Sequence, residues 1–304
     1  MLACYLLRHT ARYQSAEIIR THDPKTLNNC DILVDVGGMY SPQKNIYDHV
    51  MPGFKFRPFQ SLQNASSLGL VYVHYGLEVI TNITGLADYK ELQILHERVY
   101  FDFLQAIDCI DNGVQKSEYG ESFEDYTNWW MTVERFNLPW HSPADSQREQ
   151  EGFLKAMKAV GERFSLALNY YVSRWLSWRF IVEKAYYTRK EFHPSGACML
   201  LLESCGWKSH LADLQIWNKH ENVLYCVHPH LGKWIVQFTL NERNPRSEKW
   251  LFPYEWRGLK DKEAEEKTQV KGVLYIHPKG YIAFVSDIDA AKALCDRLVA
   301  HLHL

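Results

Sequence analysis

The segment "DILVDVGGMYSPQKNIYDHV" (residues 31–50) opens as a strand and closes on an acid beside a histidine. Ile32, Leu33, Val34 and Val36 make the nearly continuous apolar run expected of a strand covered on both faces, as in parallel sheets. Asp35 falls at the carboxyl end of that run, where open α/β sheets place their ligands. Gly37-Gly38 then lets the backbone turn sharply or approach a phosphate. "NIYDHV" reads as a second short strand carrying Asp48 and His49.

Outward from this segment, strands and helices alternate, which argues an α/β first domain. "AEIIRTHD" (16–23) reads as a short strand leaving at Asp23-Pro24. "NASSLGLVYVHYG" (64–76) reads as a helix with Ser66 or Ser67 at its start and Gly76 just past its end. Leu92, Leu95, Val99, Phe103, Ile107 and Ile110 recur at helical spacing until Asp111-Asn112-Gly113 stops them. "NLPWHSPADSQREQEG" (137–152) is the clearest linker, and a long helix or helix pair follows to about Lys190. Beyond "HPSG" (193–196) the texture turns to short strands and a last helix, "DAAKALCDRLVAHL", an α+β second domain.

Asp35, His49 and Asp111 supply oxygen, nitrogen and oxygen donors for a hard divalent cation, with Asp48 nearby. Spacing alone favours a plainer reading, with Asp35 capping a turn, His49 packed under a loop and Asp111 capping the end of its helix; the cation reading stands beside it. "CVHPH" (226–230) with His220 is more simply a set of loop histidines, since a closed zinc site wants four N/S ligands. The rings around Trp175 and Trp178 read as helix core.

Composition narrows the function classes. At 304 residues two domains are expected, and 46% hydrophobic with 23% charged residues marks a globular chain. A net charge of −2 gives no footprint for duplex DNA. Seven cysteines without a CxxC pair read as reduced thiols in an intracellular protein. The most apolar helix candidate (169–186) carries Arg174, Arg179 and Lys184, so no membrane span is expected. The mixed charges of "LKDKEAEEKTQ" (259–269) read as a solvated helix face.

Over almost the whole chain, "AEIIRTHDP", "CDILVDVGG", "YDH", "SSLGLVYVHYG", "AIDCIDNG", "WKSHL", "EWRGLKD" and "HPKGYIAF" resemble, in order, the melanocyte proliferating gene 1 family, which is similar to DHH-type phosphoesterases. The resemblance implies a DHH-like α/β domain with a parallel sheet over 1–190, and an α+β DHH-associated domain over 191–304. It implies a metal-dependent 3′–5′ exonuclease acting on single-stranded RNA in the nucleus and mitochondrion, with the cytoplasm also open. Carried over by position, Asp35, His49 and Asp111 are catalytic and hold manganese or magnesium. Asp48 supports His49, while Ser66, Ser67 and His277 contact substrate.

The departures from the family are as informative. Val50 stands where the third letter of DHH is histidine, and it can bind neither metal nor phosphate oxygen. His22 replaces an arginine, Asn64 a lysine, and Ala283-Phe284 a pair of small residues, where a bulky ring is expected to crowd substrate. The family also opens with a strand and an HxGxFHxDE-like motif, whereas "MLACYLLR" corresponds to the helix after it. One cation is therefore expected to lose ligands, the sheet a central strand, and the fold some stability. The expectation is a family exonuclease of impaired activity, or alternatively a non-catalytic module binding nucleic acid or protein.

Overall fold

The fold is described from a computed structural model, over residues 1–114, 129–218, 222–239 and 251–302. It is a mixed α/β structure that divides into two compact units, Met1–Ser173 and Arg174–Leu304.

Unit 1 begins with α1 (Leu2–Leu7), which buries Leu2, Ala3, Leu6 and Leu7, and continues to α2 (Pro24–Leu27). Asp23 caps α2 by accepting from the Thr26 amide at 2.9 Å, with Pro24 supplying the fixed φ of a first helical residue. The strand expected at 16–23 is irregular chain instead, because no ladder partner lies beside it among the described residues. β1 (Leu33–Val34), β2 (Tyr40–Ser41) and β3 (Ile46–Tyr47) form a small sheet in the order β1-β3-β2. β1 runs parallel to β3 and β2 antiparallel to it. The doubly covered strand read over 31–38 contracts to two half-buried residues, and among the described residues β1 is paired on one side only.

α3 (Ser67–Thr84) starts where the sequence places it, with the Ser66 hydroxyl accepting from the Leu68 amide. It does not end at Gly76 but runs on to Gly85, whose φ of 74° closes it. Gly76 is a packing glycine: a Cβ there would stand 2.5 Å from the His96 ring, which reaches the Tyr72 carbonyl at 3.0 Å. α4 (Tyr89–Val99) follows, then a single π-turn at Tyr100–Leu104, then α5 (Gln105–Asp111). The π-turn takes an extra residue into one turn, so the buried positions move from 92, 95 and 99 to 100, 104 and 108. Asn112 and Gly113, at φ 68°, end α5 as expected.

α6 (Trp129–Glu134) and α7 (Ser146–Tyr170) complete the unit. The linker expected over 137–152 shortens to 137–145, because the Asp145 carboxylate accepts from the amides of Gln147 and Arg148 and starts α7 there. Gly161 lets α7 approach α1, and a Cβ at that position would lie 2.1 Å from the Tyr5 ring. Gly161→Val is therefore expected to cost about 1–3 kcal/mol by overpacking. Thermal melting checks it, and an unchanged midpoint would contradict the close approach.

Unit 2 contains α8 (Leu176–Tyr187), α9 (Arg189–Phe192), β4 (Cys198–Leu200), α10 (Trp207–Trp217), β5 (Tyr225–His230), β6 (Lys233–Phe238), α11 (Asp261–Thr268), β7 (Val273–Ile276), β8 (Ile282–Val285) and α12 (Ile288–His301). The five strands lie in the order β4-β5-β6-β8-β7, parallel only between β4 and β5. One face of the sheet buries Val227, Val236, Ala283 and Val285 together with Leu294 and Leu298 of α12. Val182 and Tyr186 of α8 join Met199, Cys226 and Leu211 in a second cluster. That packing draws α8 and α9 into unit 2, which begins at Arg174.

All seven cysteines are free, with Cys198, Cys226 and Cys295 buried in these strands and in α12. No helix among the described residues is long and apolar enough to cross a membrane.

Candidate metal centre

Unit 1 brings three chain segments together at one point. Asp35 leaves β1 in the left-handed region, at φ 63°, and Gly37 and Gly38 follow at 105° and 68°. A non-glycine residue in that region is strained, and such strain persists only where surrounding contacts fix it. Here the buried Asp48 carboxylate accepts from the Gly38 amide at 2.8 Å and from the Val50 amide at 3.0 Å, tying the turn to the end of β3. The Ser67 hydroxyl, at the start of α3, donates to Asp35 Oδ1 at 3.1 Å.

His49 Nε2 stands 3.4 Å from Asp35 Oδ1 and 3.2 Å from Asp111 Oδ2. Its side chain is 7% exposed, against 62% for Asp35 and 51% for Asp111, so a buried imidazole backs two partly exposed carboxylates. Donor atoms of the three residues all lie within 4.8 Å of one another, the one such group among the described residues. Burial pushes the Asp111 carboxyl above its ordinary range; His49 opposes this and the Asp35 charge adds to it. Two carboxylates this close to each other leave a charge that a divalent ion would offset.

The donor set fits such an ion. Two ligands about 2.1 Å from one cation and at right angles to each other stand about 3.0 Å apart, close to the separations seen. Beside the three residues lies a cleft of about 370 Å³, walled by Leu68, Ile110 and Trp130.

Of the remaining expected residues, Ser66 lines the same cleft. Ser66 is buried, and its hydroxyl donates to Asp108 Oδ1 at 2.7 Å while capping α3. His277 belongs to unit 2, in the turn after β7, where its Nδ1 accepts from the Lys279 amide at 3.1 Å. Val50 is 72% exposed and adds nothing to the donor set. The Asn64 amide donates to the Phe54 carbonyl at 3.2 Å. Phe284 packs its ring against Tyr275 and His230. His228 faces Gln237 at 3.3 Å, while His220 lies outside the described residues.

Two residues of the centre are invisible to spacing arguments built on 35, 49 and 111. Asp108 is fully buried and accepts from the Ser66 hydroxyl, the Gly69 amide at 3.1 Å and the Tyr100 hydroxyl at 2.9 Å. Burial raises its pKa to about 6 against the pull of those donors. Asn112 reaches His49 Nδ1 at 3.1 Å. The available signal was "IDCIDN", which puts acids three apart at the end of an apolar helix.

The family model MYG1_exonuc, described as "Uncharacterised protein family (UPF0160)", matches residues 1–299. The chain is 34% identical over 297 residues to the mouse protein named MYG1 exonuclease, covering 92% of this chain and 76% of that one. It is 30% identical over 314 residues to a Saccharomyces cerevisiae MYG1 protein, covering 98% and 91%. Among solved structures, RecJ of Thermus thermophilus in complex with Mn2+ aligns at 12% identity, covering 99% of this chain and about half of that one (49%). The TM-score of that alignment is 0.25.

Proposed function

The chain belongs to the MYG1 exonuclease family, and on that premise we propose that it is a divalent-metal exonuclease that hydrolyses phosphodiester bonds of single-stranded RNA from the 3′ end. The observation that carries this reading is the meeting of Asp35, His49 and Asp111 beside an open cleft. A cation bound there supplies polarisation of a phosphoryl oxygen and a water of lowered pKa. The chain's own residues do the rest. Asp35 and Asp111 provide the negative charge, His49 the nitrogen donor, and Ser67 holds Asp35 in its strained turn. RNA of the nucleus and mitochondrion is the substrate pool that the family resemblance implies.

The proposed activity is weaker than that of its relatives. Three donors leave a cation incompletely held, and Val50 offers no fourth. In Mn2+, the purified chain is expected to shorten 5′-labelled single-stranded RNA slowly from its 3′ end. Asp111→Asn is expected to lower that rate roughly 100-fold, the equivalent of about 3 kcal/mol at the transition state. Cleavage without a divalent ion, or at full rate in Asp111→Asn, would overturn the proposal. Val50 also supports a second reading, a non-catalytic RNA-binding module. RNA retention with no Mn2+-dependent product would select it.

A further inference from the structure

His49 can offer only one ring nitrogen to a cation between Asp35 and Asp111, and that nitrogen is Nε2. Imidazole binds metal through an unprotonated nitrogen, so something must hold the remaining proton on Nδ1. Two carboxylates facing Nε2 work against this, since they attract a proton to Nε2.

Asn112 provides the opposing contact. Its amide nitrogen donates to the Asn64 carbonyl at 3.0 Å and to the Asp108 carbonyl at 2.9 Å. Both partners can only accept, so the orientation of the amide is fixed and Oδ1 is the atom left facing His49 Nδ1 at 3.1 Å. An amide oxygen can only accept, and Nδ1 must therefore carry the proton. From this geometry we infer that Asn112 is a positioning residue that locks His49 in the Nδ1–H tautomer and so turns the Nε2 lone pair toward the cation. The inference rests on the cation reading of Asp35, His49 and Asp111.

Two variants separate this role from a structural one. Asn112→Leu removes both donors and the acceptor. Asn112→Asp removes the donors to Asn64 and Asp108 but keeps an acceptor for Nδ1–H. In metal-free protein at a pH where the ring is neutral, long-range 1H–15N correlation should place the His49 proton on Nδ1 in the wild type and in Asn112→Asp. In Asn112→Leu it should move to Nε2. With Mn2+ alone as probe, calorimetry should show affinity falling about 10–100-fold in Asn112→Leu and much less in Asn112→Asp. Electron spin echo modulation should show an Mn2+-bound imidazole nitrogen in the wild type and Asn112→Asp, and a lost or weakened one in Asn112→Leu.

Equal losses in both variants would assign Asn112 to holding α5 alone and overturn the inference, as would an Nε2–H tautomer in the wild type. If the tautomers follow expectation but Mn2+ binds equally well in His49→Ala, the cation reading fails and the inference about Nε2 with it.

Discussion

Exchanging Asp35 for asparagine is expected to abolish Mn2+-dependent RNA shortening, by roughly 100-fold or more, while leaving the melting of the metal-free protein almost unchanged. The choice of asparagine follows from the backbone. Asp35 sits at φ 63°, a conformation that asparagine and aspartate tolerate far better than most residues. An asparagine oxygen can still accept from Ser67, so the turn keeps its tie to α3. What disappears is one of the two negative charges that face His49. Asp35→Ala should lose the same activity and in addition about 1–2 kcal/mol of stability, because alanine is strained in the left-handed region. Binding gives a second readout. At 100 times its dissociation constant an ion that binds only the folded state stabilises it by about 2.7 kcal/mol, roughly a 5–10 °C rise in melting for a unit of this size. That rise should appear in the wild type and vanish in Asp35→Asn. Full activity, or an unchanged Mn2+-induced rise, would remove Asp35 from the site.

The second large effect is at Asp108, which touches no proposed ligand directly. Asp108→Leu should leave the Ser66 hydroxyl, the Gly69 amide and the Tyr100 hydroxyl without their acceptor in a buried place. At about 1–3 kcal/mol for each stranded donor, the loss is a large part of an ordinary domain's 5–15 kcal/mol. Unit 1 is therefore expected to fold poorly or not at all. Asp108→Asn should behave differently, because its oxygen can keep Ser66 and Gly69 while its amide group donates to the Tyr100 oxygen. The pH dependence has a definite sign. With a folded pKa of about 6 against 3.8 unfolded, Asp108 binds more proton in the native state between those values. Its contribution to stability is full below about 4 and is lost as pH rises through 6, a change of roughly 3 kcal/mol. The stability of the wild type relative to Asp108→Asn should fall by up to that amount between pH 4 and 7. A difference that stays flat, or grows with pH, would show that Asp108 is not carrying a raised pKa.

Much of this was legible because it is local. Ser66 ahead of "SLGLV", Asp111-Asn112-Gly113 after an apolar helix, and the alternating strands of unit 2 act through their immediate neighbours, and the fold keeps them. Asp35, His49 and Asp111 stood out as candidates because their side chains supply the oxygen and nitrogen donors that a hard cation takes. What was illegible depended on contacts distant in sequence. "AEIIRTHD" has strand composition but no strand beside it among the described residues. Gly76 looks like a helix terminator until His96 is found against it. Asp108 and Asn112 act through Tyr100, Gly69 and His49, pairings that no spacing rule connects.

The π-turn at Tyr100–Leu104 has a consequence for length changes as distinct from substitutions. An α-helix turns by about 100° per residue, so one surplus residue in a turn resets the heading of everything downstream. Asp108 faces inward and Asp111 and Asn112 face His49 because that surplus residue is counted in. A single-codon deletion anywhere in the turn could be absorbed as regular α-helix at little backbone cost. It would nonetheless swing all three side chains off their partners by about a quarter turn. The centre thus depends on a residue tally as much as on residue identity, and an in-frame deletion far from the donors would disarm it without changing any of them.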